Sequence, residues 1–339
     1  MNECTNPYVR RSSPVTASIN IQDPVRSVES RSSAPRVDRA SASTAYPERM
    51  ASPFRETTIV IGAPRSGTNM LRDVLTRLPD LGTWPCDEIP YIWRHGNVSV
   101  PHDEFSRGMA RPEVRHSIRR RFKRLARSQG IGHVVEKTCA NSLRVEFVHE
   151  VVPDAKFVVI VRDGVDAALS ASRRWTAPFD LGYTMRKVRF VPPTDAPRYA
   201  LQYARNRLRQ LTASDDRLAT WGPVFEGMQE AARTHTVEEL SMLQWKRCVD
   251  RTDEALPTIP DDQVIRLSYE TFVREPRKEL ERVTSFLGVP ATDAEIEAAV
   301  RDVSARNVGK GRDRVDEGTR ARLVALASET LARHGYAIE

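Results

Sequence analysis

TTIVIGAPRSGTNML, residues 57–71, holds a strand, a tight turn and a helix start in one short run. Thr57–Ile61 is β-branched and mostly apolar, the composition of a parallel strand buried on both faces. The run Gly62, Ala63, Pro64, Arg65, Ser66, Gly67 and Thr68 is too small and Gly-rich to stay in a sheet. After Asn69, the residues Met70, Leu71, Val74, Leu75 and Leu78 recur at helical spacing. In a strand, Gly-loop, helix context, successive backbone N–H groups and the helix N-terminus converge on one point, which suits a phosphate.

The register of that loop narrows the chemistry. Gly62 and Gly67 are spaced as in G-x-x-x-x-G-K-[ST], but Thr68 stands at the Lys position and Asn69 at the Ser/Thr position that holds Mg²⁺. The loop keeps an anion cradle and lacks the two side chains that handle a Mg²⁺-bound triphosphate.

Working outward, Lys156–Arg162 (KFVVIVR) is an unbroken apolar run ending in a base, and His133–Thr138 (HVVEKT) is a shorter strand. Helices are expected over 112–128, 140–151, 165–174, 237–256, 276–287, 293–300 and 317–334, and a further strand over 263–268. Strand and helix alternate, which predicts an α/β fold with a mainly parallel sheet. Ligands in such sheets lie beyond the C-terminal strand ends. Ser66, Glu88, Lys137 and Arg162 all fall at or just after expected strand ends, and this ties them into one site. The segment Leu81–Gly96 (LGTWPCDEIPYIWRHG) reads as a cleft wall or as an ordinary second strand with core aromatics. Trp84, Tyr91, Trp93 and Trp175 could stack on an acceptor ring or fill the core.

Composition sets bounds. The chain has 339 residues, 40% hydrophobic and 29% charged, ordinary for a soluble globular protein. A net charge of +7 favours anionic ligands, but Arg is spread along the chain and does not single out nucleic acid. The basic helix at 112–128 carries no interleaved aromatics, so a solvated face is its default. Cys4, Cys86, Cys139 and Cys248 lie far apart, with no metal-ligand spacing, and no metal is expected. No apolar stretch reaches membrane-spanning length and no signal-peptide core is visible, so a cytoplasmic protein is expected. Residues 1–55 are rich in Ser, Arg and Pro and read as a disordered tail; 56–339 read as a single domain, with 175–236 as an excursion over the acceptor site.

Four separated stretches, APRSGTN, VEKT, FVVIVRDGVDAALS and VGKGRDR, together resemble the sulfotransferases that use 3′-phosphoadenosine 5′-phosphosulfate (PAPS), in an order similar to the heparan-sulfate type. LSYETFVREP followed by a helix ending FLGV is similar to the wider family. The resemblance implies a three-layer sandwich with the P-loop-containing nucleoside-triphosphate-hydrolase-like fold. It also implies PAPS as co-substrate without a metal, and transfer of a sulfuryl group to a small-molecule or glycan acceptor. It places Arg65, Ser66, Gly67, Thr68 and Asn69 on the 5′-phosphosulfate. It places Arg162 and Ser170 on the 3′-phosphate, with Lys310, Gly311 and Arg312 closing over it and Tyr269 in the same nucleotide site. Glu88 falls where the family has a catalytic carboxylate, with Asp87 its rival, and Lys137 where it has a second-strand lysine; Arg65 and Lys137 would stabilise the leaving phosphate. Arg65 replaces a frequent Lys, Asn69 a Thr, and Gly164 a Pro. His95 and His133 stand as reserve bases. Two other classes remain open: a P-loop kinase or NTPase, and a non-enzymatic basic anion-binding module. The acceptor and the oligomeric state are not legible.

Overall fold

The computed structural model describes residues 54–175, 190–201 and 221–338. The expected tail over 1–55 lies almost wholly outside the described residues, as does much of the expected excursion, including Arg186, Lys187 and Arg189.

Among the described residues, five strands form one sheet: β1 (Glu56–Ile61), β2 (Leu81–Gly82), β3 (His133–Lys137), β4 (Lys156–Val161) and β5 (Val264–Ser268). Their order is β2-β3-β1-β4-β5, and every pairing is parallel. The helices are α1 (Thr68–Leu75), α2 (Pro90–Trp93), α3 (Pro112–Gln129), α4 (Val145–Val151), α5 (Gly164–Trp175), α6 (Met228–Thr234), α7 (Val237–Ala255), α8 (Tyr269–Arg274), α9 (Pro276–Leu287), α10 (Asp293–Val300) and α11 (Glu317–Arg333). The α/β, mainly parallel expectation holds.

Strand alternation builds the three layers. Ile59 and Ile61 of β1, with Val134, Phe157 and Val159, face α3 and α4. Val60, Val135, Val158 and Ile160 face the other way, onto Leu71 and Val74 of α1 and Leu280 and Val283 of α9. Each such side chain withdrawn from water contributes about 1.5–3 kcal/mol, which makes both faces of this sheet a strong constraint on register. α5, α7 and α11 form a further cluster around Val165, Trp245 and Leu323.

The chain runs from β1 to β2 and β3 on one side, then crosses to β4 and β5 on the other. The topological switch point therefore lies beside the C-terminal end of β1, where open parallel sheets bind ligands. The Gly-rich loop sits there.

Three expectations shift. The second strand shrinks to Leu81–Gly82, because Pro85 and Pro90 bracket a segment that cannot donate a regular ladder. The helix expected from 140 to 151 is a 3₁₀ turn over Cys139–Leu143 followed by α4. The four aromatics separate: Trp84, Trp93 and Trp175 are buried in core clusters, with Trp84 and Trp93 edge-on to Phe122. Tyr91 alone of the four is half-buried, edge-on to Tyr199 at 5.1 Å. The basic helix α3 buries Val114, Ile118, Phe122 and Leu125, and ties Arg115 to Glu150 and Arg119 to the Val151 carbonyl.

His133 begins β3, at the opposite end of the strand from Lys137. It is buried, shares a 2.6 Å hydrogen bond with Thr58, and burial pushes its pKa down to about 4. The unfolded chain binds this proton and the folded one does not, so His133 makes stability fall as pH drops from 6.5 towards 4. A shift of this size corresponds to up to about 3 kcal/mol. His133→Gln removes that part of the acid slope, read by denaturant unfolding across the same window.

Candidate active site at the C-terminal strand ends

The loop after β1 is held by backbone geometry that few residues tolerate. Gly67, at the N-cap of α1, has φ 89°, and a Cβ there would meet the Tyr269 ring at 2.5 Å. Arg65 is also left-handed, with φ 67°, a conformation that costs a non-Gly residue energy and clusters at functional sites. α1 has no side-chain cap, so its first N–H groups face the loop mouth. Ser66 is fully buried, and its Oγ has no hydrogen-bond partner among the described residues. A buried, unsatisfied hydroxyl in such a cradle fits an oxyanion.

Two guanidinium groups, those of Arg65 and Arg162, meet at this loop. Arg65 is solvent-exposed as a residue and donates from Nε to Ser170 Oγ at 2.9 Å. Its pKa is lowered by partial burial of the guanidinium and then by repulsion from Arg174 and Arg162. Such mutual repulsion is relieved by a bound anion. Arg162, one residue past β4, is buried and donates to the Arg65 carbonyl at 3.1 Å, to Asp166 at 3.2 Å and to the Asn307 carbonyl at 2.7 Å. Its guanidinium lies over the Tyr269 ring, 4.5 Å from the centroid, and its Nε has no partner among the described residues.

Asp166 was not singled out by its sequence context, although it follows Arg162 at i+4. Its buried carboxylate accepts from Arg162 Nη2 and from the N–H groups of Gly309 (2.7 Å), Gly311 (2.6 Å) and Arg312 (3.3 Å). One carboxylate thus ties the late basic loop to Arg162. Gly311 is required at this contact: a Cβ would sit 2.7 Å from Asp166 Oδ1. Arg312 turns its guanidinium to Asp163 (2.9 Å) and the Ala337 carbonyl (2.7 Å), while Lys310 is exposed. Ser170 and Arg162 therefore contact Arg65, Tyr269 contacts Arg162, Gly311 and Arg312 reach Arg162 through Asp166, and Lys310 is linked only through its loop.

On the other side of β1, Val60 pairs with Lys137. Lys137 is buried and donates to Glu88 Oε1 at 3.0 Å; the Cys139 N–H reaches the same oxygen at 3.2 Å. Burial opposes the Lys137 charge, but the carboxylate of Glu88 and its neighbour Cys139 outweigh it and hold the pKa above its ordinary value. Thr68 connects this pair to the loop, its Oγ1 3.6 Å from Cys139 Sγ, and Arg72 of α1 donates to the Asp87 carbonyl at 3.2 Å. Asn69 is exposed. Glu88 stands on the loop between β2 and α2, beyond the strand end rather than on it.

Lys137 does not pair with its neighbour Glu136. That residue points to the opposite face, 1% exposed, and burial pushes its carboxyl up to about 7. His95 pairs with Asp195 at 2.6 Å. No group of His, Cys, Asp and Glu among the described residues is arranged to hold a metal ion.

A family model described as the sulfotransferase family matches residues 58–221 and 202–293, well over half of the chain. The chain belongs to the sulfotransferase family. Comparison with curated protein sequences gave no match. Among solved structures, this sulfotransferase is similar to the sulfotransferase domain from the curacin biosynthetic pathway, with 10% identity and a TM-score of 0.50 over 85% of this chain and 100% of that one. It also aligns with sulfotransferase STF9 from Mycobacterium avium (15% identity, TM-score 0.46, 86% of this chain and 80% of that one). A third is mouse sulfotransferase SULT7A1 complexed with PAP (16%, 0.44, 84% and 90%). At such identities the likeness speaks to the fold. The enzyme has the P-loop NTPase-like α/β fold expected of the family, and no helix among the described residues is long and apolar enough to cross a membrane.

Proposed function

We propose that this sulfotransferase moves a sulfuryl group from PAPS to a hydroxyl or amine of a carbohydrate or small-metabolite acceptor, by in-line displacement with Glu88 as base. The observation that carries the reading is the convergence, at one switch point, of an anion cradle and a carboxylate–lysine pair. The cradle is Arg65, Ser66 and Arg162, and the pair is Glu88 and Lys137. The residues fit a nucleotide with two phosphate groups: the donor set consists of guanidinium, hydroxyl and N–H groups, and two of its buried polar atoms, Ser66 Oγ and Arg162 Nε, have no partner among the described residues.

Bound PAPS would supply the sulfuryl group and the bisphosphate leaving group. Arg65, Ser66 Oγ and the first N–H groups of α1 would hold the 5′ end. Arg162, Ser170 and the loop 309–312 would hold the 3′-phosphate, with Tyr269 fixing the Arg162 plane. Glu88 accepts the acceptor proton; Lys137 and the Cys139 N–H hold its carboxylate in place until then. Once Glu88 is neutralised, Lys137 is released from its pairing and its charge is available to the developing oxyanion. Asp87 is the less suited base, because Lys137 and the Cys139 N–H hold the Glu88 carboxylate instead. Of the four aromatics, Tyr91, which is not buried in a core cluster, is the one this reading leaves for an acceptor ring.

The loop chemistry disfavours a kinase, since Thr68 is buried against Cys139 where a phosphate-binding Lys would be needed. A cytoplasmic setting belongs to the same proposal and rests on the buried Cys139 and Cys248, which form no disulfide among the described residues. The test is an acceptor survey in EDTA. Release of adenosine 3′,5′-bisphosphate matched by sulfate on a hydroxylated or amine acceptor is expected; Mg²⁺-dependent ATP turnover without it would overturn the reading.

A further inference from the structure

Alternation along β3 puts Val134 and Glu136 on one face of the sheet and Val135 and Lys137 on the other. The face shared by Val134 is packed with Trp93, Phe122 and Phe147. A carboxylate 1% exposed beneath that layer is costly unless every lone pair it presents is answered. Two donors at hydrogen-bond distance answer it, beside the Trp93 indole, which also favours the charge. Thr138 Oγ donates to Oε1 at 2.6 Å, and Asn141 Nδ2 donates to Oε2 at 2.9 Å.

Both donors are committed elsewhere as well. The Ile89 N–H donates to Thr138 Oγ at 3.1 Å, and Arg144 Nε donates to Asn141 Oδ1 at 3.0 Å. A threonine hydroxyl has one proton. While that proton is given to Glu136, the hydroxyl must turn lone pairs toward Ile89. The direction of the chain is thus set from Ile89 N–H, through Thr138 O–H, to the carboxylate. Ile89 follows Glu88, so three consecutive residues grip the same loop: Lys137 Nζ and Cys139 N–H hold the Glu88 side chain, and Thr138 holds the next peptide.

We propose that Glu136 is a positioning residue for this reaction: acting through the Thr138 hydroxyl, it fixes the Ile89 peptide and so the place of Glu88. The proposal rests on the reading of Glu88 as base. An apolar residue at position 136 would pack better against Trp93 and Phe122, but would leave the buried Thr138 proton without its acceptor. The hydroxyl would no longer be fixed with its lone pairs toward the Ile89 N–H, and this anchor of the Glu88 loop would weaken. Displacement of a reacting group by about 1 Å costs on the order of 10²-fold in rate.

Glu136→Gln is the near-isosteric test. Asn141 and Thr138 both donate, so the new amide must present its NH₂ to one of them. Thr138→Val removes the hydroxyl without a new polar group, and Thr138→Ser keeps it. The assays run well above pH 7, where Glu136 is ionised. Expected for Glu136→Gln and Thr138→Val is a fall in kcat of about tenfold or more. KM for PAPS and the affinity for adenosine 3′,5′-bisphosphate should stay near wild type, because the nucleotide cradle is not touched. Hydrogen exchange at the peptide containing Ile89 should accelerate by a similar factor, and Thr138→Ser should restore both. Wild-type kcat in Thr138→Val, or unchanged exchange at Ile89, overturns the proposal; a Glu136→Gln chain that fails to fold leaves Thr138→Val to decide. If Glu88→Gln keeps full activity, the base assignment fails, while Ile89 exchange still reads the anchoring independently.

Discussion

Glu88→Gln lowers kcat by about 10²–10⁴-fold, the usual worth of a general base, and leaves bisphosphate affinity within a few fold of wild type. The amide is nearly isosteric, so Ile89 and α2 stay in place. What changes is the ability to take a proton, and the partner of Lys137, which now faces a neutral oxygen. Because Lys137 is 2% exposed at its side chain, an unpaired ammonium there is disfavoured, and its pKa falls from its raised value. Single-turnover rates with saturating PAPS isolate the chemical step from nucleotide binding. Asp87→Asn is the internal control and keeps near-normal kcat. A Glu88→Gln enzyme with wild-type kcat would remove the base from this account.

Arg162→Ala acts on binding and on stability together. Its two donating nitrogens span the Arg65 carbonyl, Asp166 and the Asn307 carbonyl, so it joins the Gly-rich loop, α5 and the late loop. Removing one partner of a buried ion pair costs about 3–5 kcal/mol, because the other charge stays behind. Asp166 retains three backbone N–H donors, which places the expected loss at the low end of that range. Bisphosphate affinity falls by about 10²-fold, in line with the loss of charge-assisted hydrogen bonds. Arg162→Lys keeps a positive charge beside Asp166 and regains part of the stability, but lacks the guanidinium's several donors and regains little of the affinity. That separation, read by urea unfolding and calorimetry on the same proteins, distinguishes the structural role of Arg162 from its role toward the nucleotide.

Much of this was legible in the chain. The loop Gly62–Asn69 announced itself because phosphate chemistry demands small residues between a strand and a helix, and such spacing survives in sequence. β4 was legible because a strand buried on both faces must be apolar throughout, and α9 and α10 because Pro276, Gly288 and the Thr292 capping box mark their ends. The segment around Glu88 was harder. Its aromatics belong to the core and its acid to the cleft, and no single period describes a loop that serves both. Asp166 and Glu136 were missed for a related reason. A buried carboxylate is identified by its partners, and those of Asp166 lie more than 140 positions away, at Gly309, Gly311 and Arg312. The only local signal was the i+4 spacing from Arg162.

The most direct test of the central claim is calorimetric titration of the wild-type protein with adenosine 3′,5′-bisphosphate in EDTA, beside ATP with Mg²⁺. Saturable, metal-independent binding of the bisphosphate, with ATP bound far more weakly, is the predicted result. Mg²⁺-dependent binding of ATP with none of the bisphosphate would contradict it, and would return the Gly62–Asn69 loop to triphosphate chemistry.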